Sequence, residues 1–216
     1  MYKACIFDLD GTLTDTLESL IYSVNATLKE LKLPCITADQ CRQFVGNGAK
    51  VLLEKALKAA GDVKLTKIEE AEEVYKRIFG INCTYKVKPY EGIPELLAYM
   101  KEAGLKLAVL SNKPHGQTTK VVKTFFGEEL FSHVQGQCDK IKRKPDPAGV
   151  LYILEQLGVL PEECLYVGDS EVDIRTGEAA GTKTIGVTWG FRTREMLGRA
   201  GAKDMVDCPE ELKKWI

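Results

Sequence analysis

The chain has 216 residues, 44% of them hydrophobic and 28% charged, an ordinary globular composition that suits one domain or a main domain with a small insert. A formal net charge of -1 supplies no global field toward nucleic acid or an anionic membrane, and no apolar run reaches the roughly 18 residues of a membrane span. Seven scattered cysteines with no Cys-x-x-Cys pair, beside only two histidines, fit neither a fully paired secreted framework nor a clustered metal site.

The cysteines therefore read as reduced, mostly buried small side chains. Asp8 comes too early for the apolar region of a signal peptide, and the expected location is the cytoplasm. Lys3 to Leu9 reads as a short apolar strand that stops at the turn signal Asp10-Gly11-Thr12. From Asp15 the period becomes helical, with Leu17, Leu20, Ile21, Val24, Leu28 and Leu31 on one face and Pro34 closing the segment. Thr37 reads as the cap of a second helix through Phe44, which Gly46-Asn47-Gly48 breaks. A third helix resumes at Val51 and ends at Gly61; Thr66 reads as the cap of a fourth, carrying Ile68, Ala71, Val74, Tyr75 and Ile78.

After Pro89 the pattern changes. Ile93 to Ala103 is helical, with Gly104 as its C-cap. Leu105 to Leu110 is a continuous apolar run, as in a strand buried on both faces. A helix from about His115 to Phe126, a short strand at Val134 to Gly136 and a helix from Ala148 to Leu157 follow. Cys164 to Val167 reads as a strand, Val172 to Ala180 as a helix and Thr184 to Val187 as a strand. A helix from Thr193 and a short strand near Met205-Val206 complete the run. Strand alternating with helix predicts the α/β class, a Rossmann-like parallel sheet with helices on both faces, and makes the early helices an insert after the first strand. The expected division is 1-14 and 86-216 for the α/β core and 15-85 for the helical insert.

Four polar signals fall just after predicted strands, at the edge of an open parallel sheet where ligands bind. They are Asp8-Leu9-Asp10-Gly11-Thr12, Ser111-Asn112-Lys113, Lys144-Pro145-Asp146-Pro147 and Gly168-Asp169-Ser170-Glu171-Val172-Asp173. Asp8 and Asp10, two apart on a nearly extended chain that breaks at Asp10, can face one space. Ser111-Asn112-Lys113 is expected to end a strand and open a helix, where amides and a hydroxyl suit a phosphate. Taken singly, each signal also reads as a plain turn, cap, loop or solvated basic patch. Together they converge four acids, a hydroxyl and a lysine on one edge. Two like charges about 4 Å apart repel by roughly 4 kcal/mol at an effective dielectric near 20, so Asp8, Asp10, Asp169 and Asp173 call for a cation. A hard divalent ion with oxygen ligands answers that need, and Lys144 offsets the remaining charge. His115 and His133 read as ordinary surface or capping residues.

On these four motifs the sequence resembles the haloacid dehalogenase-like superfamily of phosphotransferases over nearly its whole length. The resemblance implies a nucleophile at Asp8, a general acid/base at Asp10, a phosphate-binding hydroxyl at Ser111 and the family's lysine at Lys144. It implies metal ligation by Asp8, Asp10 and Asp169, with Asp173 as a direct or outer ligand, and Mg2+ as cofactor. Gly11, Thr12, Ser111 and Asn112 are the expected phosphate contacts. The insert resembles the family's small α-helical cap, with Asn47 and Lys50 as substrate contacts and Arg42 a helical distance earlier. The presence of Asp10, absent from the dehalogenases themselves, favours phosphoryl chemistry. Within the superfamily the motifs Asp15-Thr16-Leu17-Glu18-Ser19-Leu20, Phe44-Val45-Gly46-Asn47-Gly48-Ala49 and Val167-Gly168-Asp169-Ser170 are most similar to phosphoglycolate phosphatases. The expected activity is Mg2+-dependent hydrolysis of a small phosphorylated metabolite such as 2-phosphoglycolate, by a monomer or homodimer with no nucleic-acid or membrane partner. A β-phosphoglucomutase-like mutase, a pyrophosphatase and a sugar phosphatase carry the same motifs and stay open beside it, and a non-catalytic binding protein is the contrasting class.

Overall fold

The computed structural model describes residues 2–216. The chain divides into two compact units, one formed by Met1–Asp15 with Pro89–Ile216 and the other by Thr16–Lys88.

The first unit is built on a six-stranded sheet. Its strands are β1 (Ala4–Phe7), β4 (Lys106–Pro114), β5 (His133–Gln137), β6 (Cys164–Gly168), β7 (Lys183–Val187) and β8 (Asp204–Val206), in the order β5-β4-β1-β6-β7-β8. Two-residue strands β2 (Thr14–Asp15) and β3 (Lys88–Pro89) form a separate small sheet. Every neighbouring pair of the large sheet is parallel, as the strand–helix alternation predicts. Ile6 pairs with Ala108 on one side and Tyr166 on the other, so β1 is buried between β4 and β6. All four residues of β1 are buried, which is why the strand reads as an unbroken apolar run rather than an alternation.

The order also fixes where a ligand belongs. From β1 the chain goes first to β4 and β5 on one flank and later to β6, β7 and β8 on the other. The strand order reverses beside β1, and in open α/β sheets the crevice at the carboxyl ends of strands at such a point is the binding site. Below that edge, Ala4, Ile6, Ala108, Leu110, Cys164 and Tyr166 pack in one cluster with Val150, Ile153, Leu154 and Leu157 of α7 (Ala148–Leu157). Other helices of this unit are α5 (Ile93–Glu102), α6 (His115–Phe126), α8 (Glu171–Ala180) and α9 (Arg194–Arg199). Gly158 ends α7 in the left-handed conformation at φ 62°, the C-cap a helix followed by glycine predicts.

One expectation changes here. Ser111-Asn112-Lys113 does not open a helix: β4 runs on to Pro114, and α6 begins only at His115. Between Leu110 and Pro114 the register with β5 slips, Leu110 lying opposite Gln135 and Pro114 opposite Gln137. Such a bulge re-aims side chains and is common beside active sites.

The second unit holds α1 (Leu17–Glu30), α2 (Ala38–Phe44), α3 (Gly48–Ala59) and α4 (Ile68–Asn82). Its core includes Leu20, Val24, Leu28, Leu53, Leu57, Ala71, Tyr75 and Phe79, the faces that the helical spacing marks out. Thr37 caps α2 in a reciprocal capping box with Gln40. Thr66, read from sequence as the cap of α4, is not; the helix begins at Ile68. Asp62 takes the amides of Thr66 and Lys67 and the Thr66 hydroxyl on its two carboxylate oxygens, at 2.9–3.0 Å. A charged acceptor with two oxygens outcompetes a hydroxyl for those amides. Among the described residues no helix is long and apolar enough to cross a membrane.

Candidate active site

The site begins where β1 stops. The amide of Asp8 donates to the Val167 carbonyl, prolonging the pairing with β6 by one residue. The chain then closes on itself: the amides of Leu13 and Thr14 both donate to the Leu9 carbonyl at 3.0 Å, and Gly11 donates to the Thr14 carbonyl. Gly11 adopts φ +88°, and a Cβ there would lie 2.3 Å from Asp169 Oδ2. Only glycine meets both demands.

Asp8 is buried at 8% exposure, with its carboxylate 2.8 Å from Lys144 Nζ. The same ammonium lies 2.6 Å from Asp173 Oδ1 and thus bridges two acids. Asp173 is itself held on every side. Tyr166 donates its hydroxyl to Oδ1 at 3.1 Å, while the amide and hydroxyl of Ser170 donate to Oδ2 at 3.1 and 2.5 Å. The Ser170 amide contact and the Asp173 amide, which donates to Ser170 Oγ, form the capping box that starts α8, so a helix N-terminus fixes Asp173. Lys144 is fixed from its main chain: the Asn112 side chain accepts from its amide and donates to its carbonyl. The side-chain amide of Asn112 thus helps to place Lys144. Ser111, buried beside it, accepts from the Lys113 amide at 3.2 Å.

Asp169 follows β6. Its Oδ2 accepts from the Phe191 amide at 2.7 Å, and Thr12 approaches Oδ1 at 3.5 Å. Gly190 packs on its other side; a Cβ there would come within 2.3 Å of the Gly11 carbonyl and 2.5 Å of Asp169 Oδ2. Trp189 donates its indole N–H to the Thr12 carbonyl, and Arg192 pairs with Glu171 at 2.9 Å.

Asp8, Asp169 and Asp173 each offer an oxygen within 4.8 Å of the others. Burial, reinforced by the charge of Asp173 and opposed by Lys144, pushes the Asp8 carboxyl up to about 7. Burial, with Asp173 and Asp8, drives Asp169 well above the carboxylate range against the Phe191 amide and Arg192. Burial opposes the charge of Lys144, but Asp173 and Asp8 outweigh it and hold the ammonium well above the lysine range. Asp8 and Asp169 are thus costly to ionise with the charges the protein alone supplies, and the donors are all oxygen. That set fits a hard divalent cation such as Mg2+. The Asp10 carboxylate lies apart from this triad, paired with the Lys113 ammonium.

Asn47 and Lys50 belong to the helical unit. Asn47 stands at the N-cap of α3, and Lys50, largely exposed on that helix, lies 3.5 Å from Glu72 Oε1 on α4. Sequence reasoning gave Lys113 no role within its motif and missed Tyr166 and the loop Trp189–Arg192. The edge rule applied to the strand Thr184–Val187 would have flagged that loop, since it too follows a strand's carboxyl end. Tyr166 gave no such signal, because it sits inside an apolar strand.

A buried acid triad, two of its members bridged by Lys144, thus lies at the reversal point of a parallel α/β sheet, where such folds bind ligands. The chain belongs to the haloacid dehalogenase-like hydrolase family, whose profile matches residues 5–187. It is an enzyme of the phosphatase branch of that family. A phosphoglycolate phosphatase of Aquifex aeolicus is 38% identical over 189 residues, covering 88% of this chain and 86% of the relative. The crystal structure of a predicted phosphoglycolate phosphatase from Haemophilus somnus superposes with a TM-score of 0.90 at 31% identity, covering 99% and 97% of the two chains. A mutant of CbbY from Rhodobacter sphaeroides, solved in complex with xylulose-(1,5)-bisphosphate, gives a TM-score of 0.83 at 26% identity, covering 98% and 96%.

Proposed function

We propose that this phosphatase hydrolyses 2-phosphoglycolate or a closely similar small phosphate monoester, through an aspartyl phosphate on Asp8. The observation that carries the reading is the Lys144 ammonium lying between Asp8 and Asp173, with Asp169 in reach of both. An Asp8 oxygen attacks phosphorus, the bond from phosphorus to the substrate oxygen breaks, and Asp10, entering this step as the carboxylic acid with its proton on the oxygen that Lys113 does not hold, gives that proton to the departing oxygen. Asp10 then takes a proton from water as its oxygen attacks the phosphoryl group, releasing phosphate and restoring Asp8. Two displacements at one carboxylate replace a single harder one.

Asp8 and Asp169 would hold Mg2+, with Asp173 as the third oxygen donor or as the anchor of Lys144. Bound there, the ion would neutralise phosphoryl charge and help orient the group for in-line attack. Lys144 adds a fixed positive charge at the nucleophile without reorganising, and Ser111 offers a hydroxyl to the phosphoryl oxygens. The relatives' names favour 2-phosphoglycolate as substrate. The CbbY complex makes a sugar bisphosphate the second substrate to assay.

The decisive variant is Asp8→Asn, since an amide cannot serve as the nucleophile. Phosphate release from 2-phosphoglycolate should fall at least about a thousandfold while circular dichroism stays native. Turnover within a few-fold of wild type would remove Asp8 from the reaction.

A further inference from the structure

We propose that Lys113 is a positioning residue for Asp10, holding the proton-transfer carboxylate in place through a buried ion pair. This rests on the reading of Asp10 as the group that protonates the leaving oxygen. The two residues are 103 apart in sequence, yet Lys113 Nζ lies on Asp10 Oδ1. The Lys113 side chain is 1% exposed and that of Asp10 13%, so the pair is shielded from solvent. A lysine buried this far would be costly without a charged partner.

The backbone makes the placement firm. Lys113 sits in the bulge between Leu110 and Pro114, the feature that turns side chains of β4 out of their ordinary alternation. Its amide donates to Ser111 Oγ and its carbonyl accepts from the Thr118 hydroxyl at 3.0 Å. Gly136 presses on the same segment: a Cβ there would lie 2.8 Å from the Lys113 carbonyl oxygen and 2.6 Å from the His115 Cα. Lys113 is therefore anchored on both sides of its Cα, and its ammonium reaches across from β4 to the loop after β1. Asp10 stands in the turn closed on the Leu9 carbonyl, where a side chain has freedom to rotate unless something holds it. A general acid works only when it lies within hydrogen-bond reach of the departing oxygen, and small displacements cost orders of magnitude.

The test separates positioning from structure by leaving group. Phenyl phosphate and 4-nitrophenyl phosphate share a shape, but only the first needs much protonation of its departing oxygen. kcat/KM reports the steps through departure of the alcohol, so the ratio of the two values reads Asp10's contribution. In Lys113→Met, which keeps the stem and removes the charge, the phenyl/4-nitrophenyl ratio should fall about tenfold, with Lys113→Arg recovering much of it. Asp10→Asn is measured alongside and should lower the same ratio further. A merely structural role for Lys113 would lower both substrates equally and leave the ratio unchanged; with Asp10→Asn shifting it, that result overturns the proposal. An unchanged ratio in Asp10→Asn overturns the reading of Asp10 itself and the proposal with it. If the Met variant does not fold, Lys113→Gln is read by the same ratio.

Discussion

A lysine at 3% exposure needs its charge answered, and Lys144 has it answered twice. Breaking a buried pair by removing one partner leaves an uncompensated charge, a loss of about 3–5 kcal/mol in measured cases. Lys142, two residues earlier, lies 3.5 Å from Asp146 with an 80% exposed side chain, the kind of surface pair that contributes about 0–1 kcal/mol. The two lysines share one basic run in the sequence and have opposite environments. We expect Lys144→Ala to lower kcat by about a hundredfold or more and to destabilise the fold in a urea titration, and Lys142→Ala to change neither by more than about twofold. Similar small effects at both positions would mean that the run is a solvated patch. The main-chain grip of Asn112 on Lys144 adds a reason for the contrast, since it fixes the stem from which the ammonium reaches the acids.

Elements, rather than single side chains, set the spacing of the acids. Asp8 directly follows β1, Asp169 directly follows β6, α8 supplies Asp173 in its first turn, and the loop after β7 backs Asp169. That loop makes a sharp prediction. Gly190→Ala places a methyl group onto the Gly11 carbonyl and the Asp169 carboxylate, so activity should fall more than about tenfold and the Mg2+ requirement should rise. Gly198→Ala, inside α9 with open space around its Cβ, should leave activity alone and stabilise the helix by about 0.5–1 kcal/mol. Equal behaviour of the two variants in a magnesium titration would count against loop 189–192 as the support of Asp169. The sequence made the six strands of the large sheet and most helices legible, because buried parallel strands read as apolar runs and Thr37 announces its helix. It made Asp8, Asp169, Asp173 and Lys144 legible as candidates through their places after strands. It did not reveal the partner of Lys113, or Tyr166 at all. The first depends on a register slip of β4 against β5, and the second on a hydroxyl buried in an apolar cluster. Both are tertiary events with no local periodicity to betray them. Thr66 failed for a related reason, a local competition that Asp62 wins.

At the scale of the whole molecule, the site ties folding to protons and metal. Asp8 titrates near its ordinary 3.8 in an unfolded chain but at about 7 in the metal-free fold, and Asp169 is raised as well. Between those values the native state holds more protons than the unfolded state, so its stability falls as pH rises. The stabilising contribution is complete below about pH 4 and is lost as the pH passes through 7. His133 acts in the opposite direction, since burial lowers its pKa from 6.5 and favours the fold as pH rises toward that value. It does so equally with and without metal. A divalent ion at the triad takes the place of the carboxyl protons, and its binding should strengthen with pH as those protons leave. The difference between melting temperatures in Mg2+ and in a chelator therefore isolates the site, because His133 cancels in it. That difference should widen steadily from pH 5 to pH 8, and by several degrees, given that each 1 kcal/mol shifts a protein of this size by about 2–4 °C. Asp8→Asn should flatten the widening, having one fewer proton to release. A gap that is constant across this range, or that narrows with pH, would show that metal binding does not draw on these carboxyls and would sink the triad as the metal site.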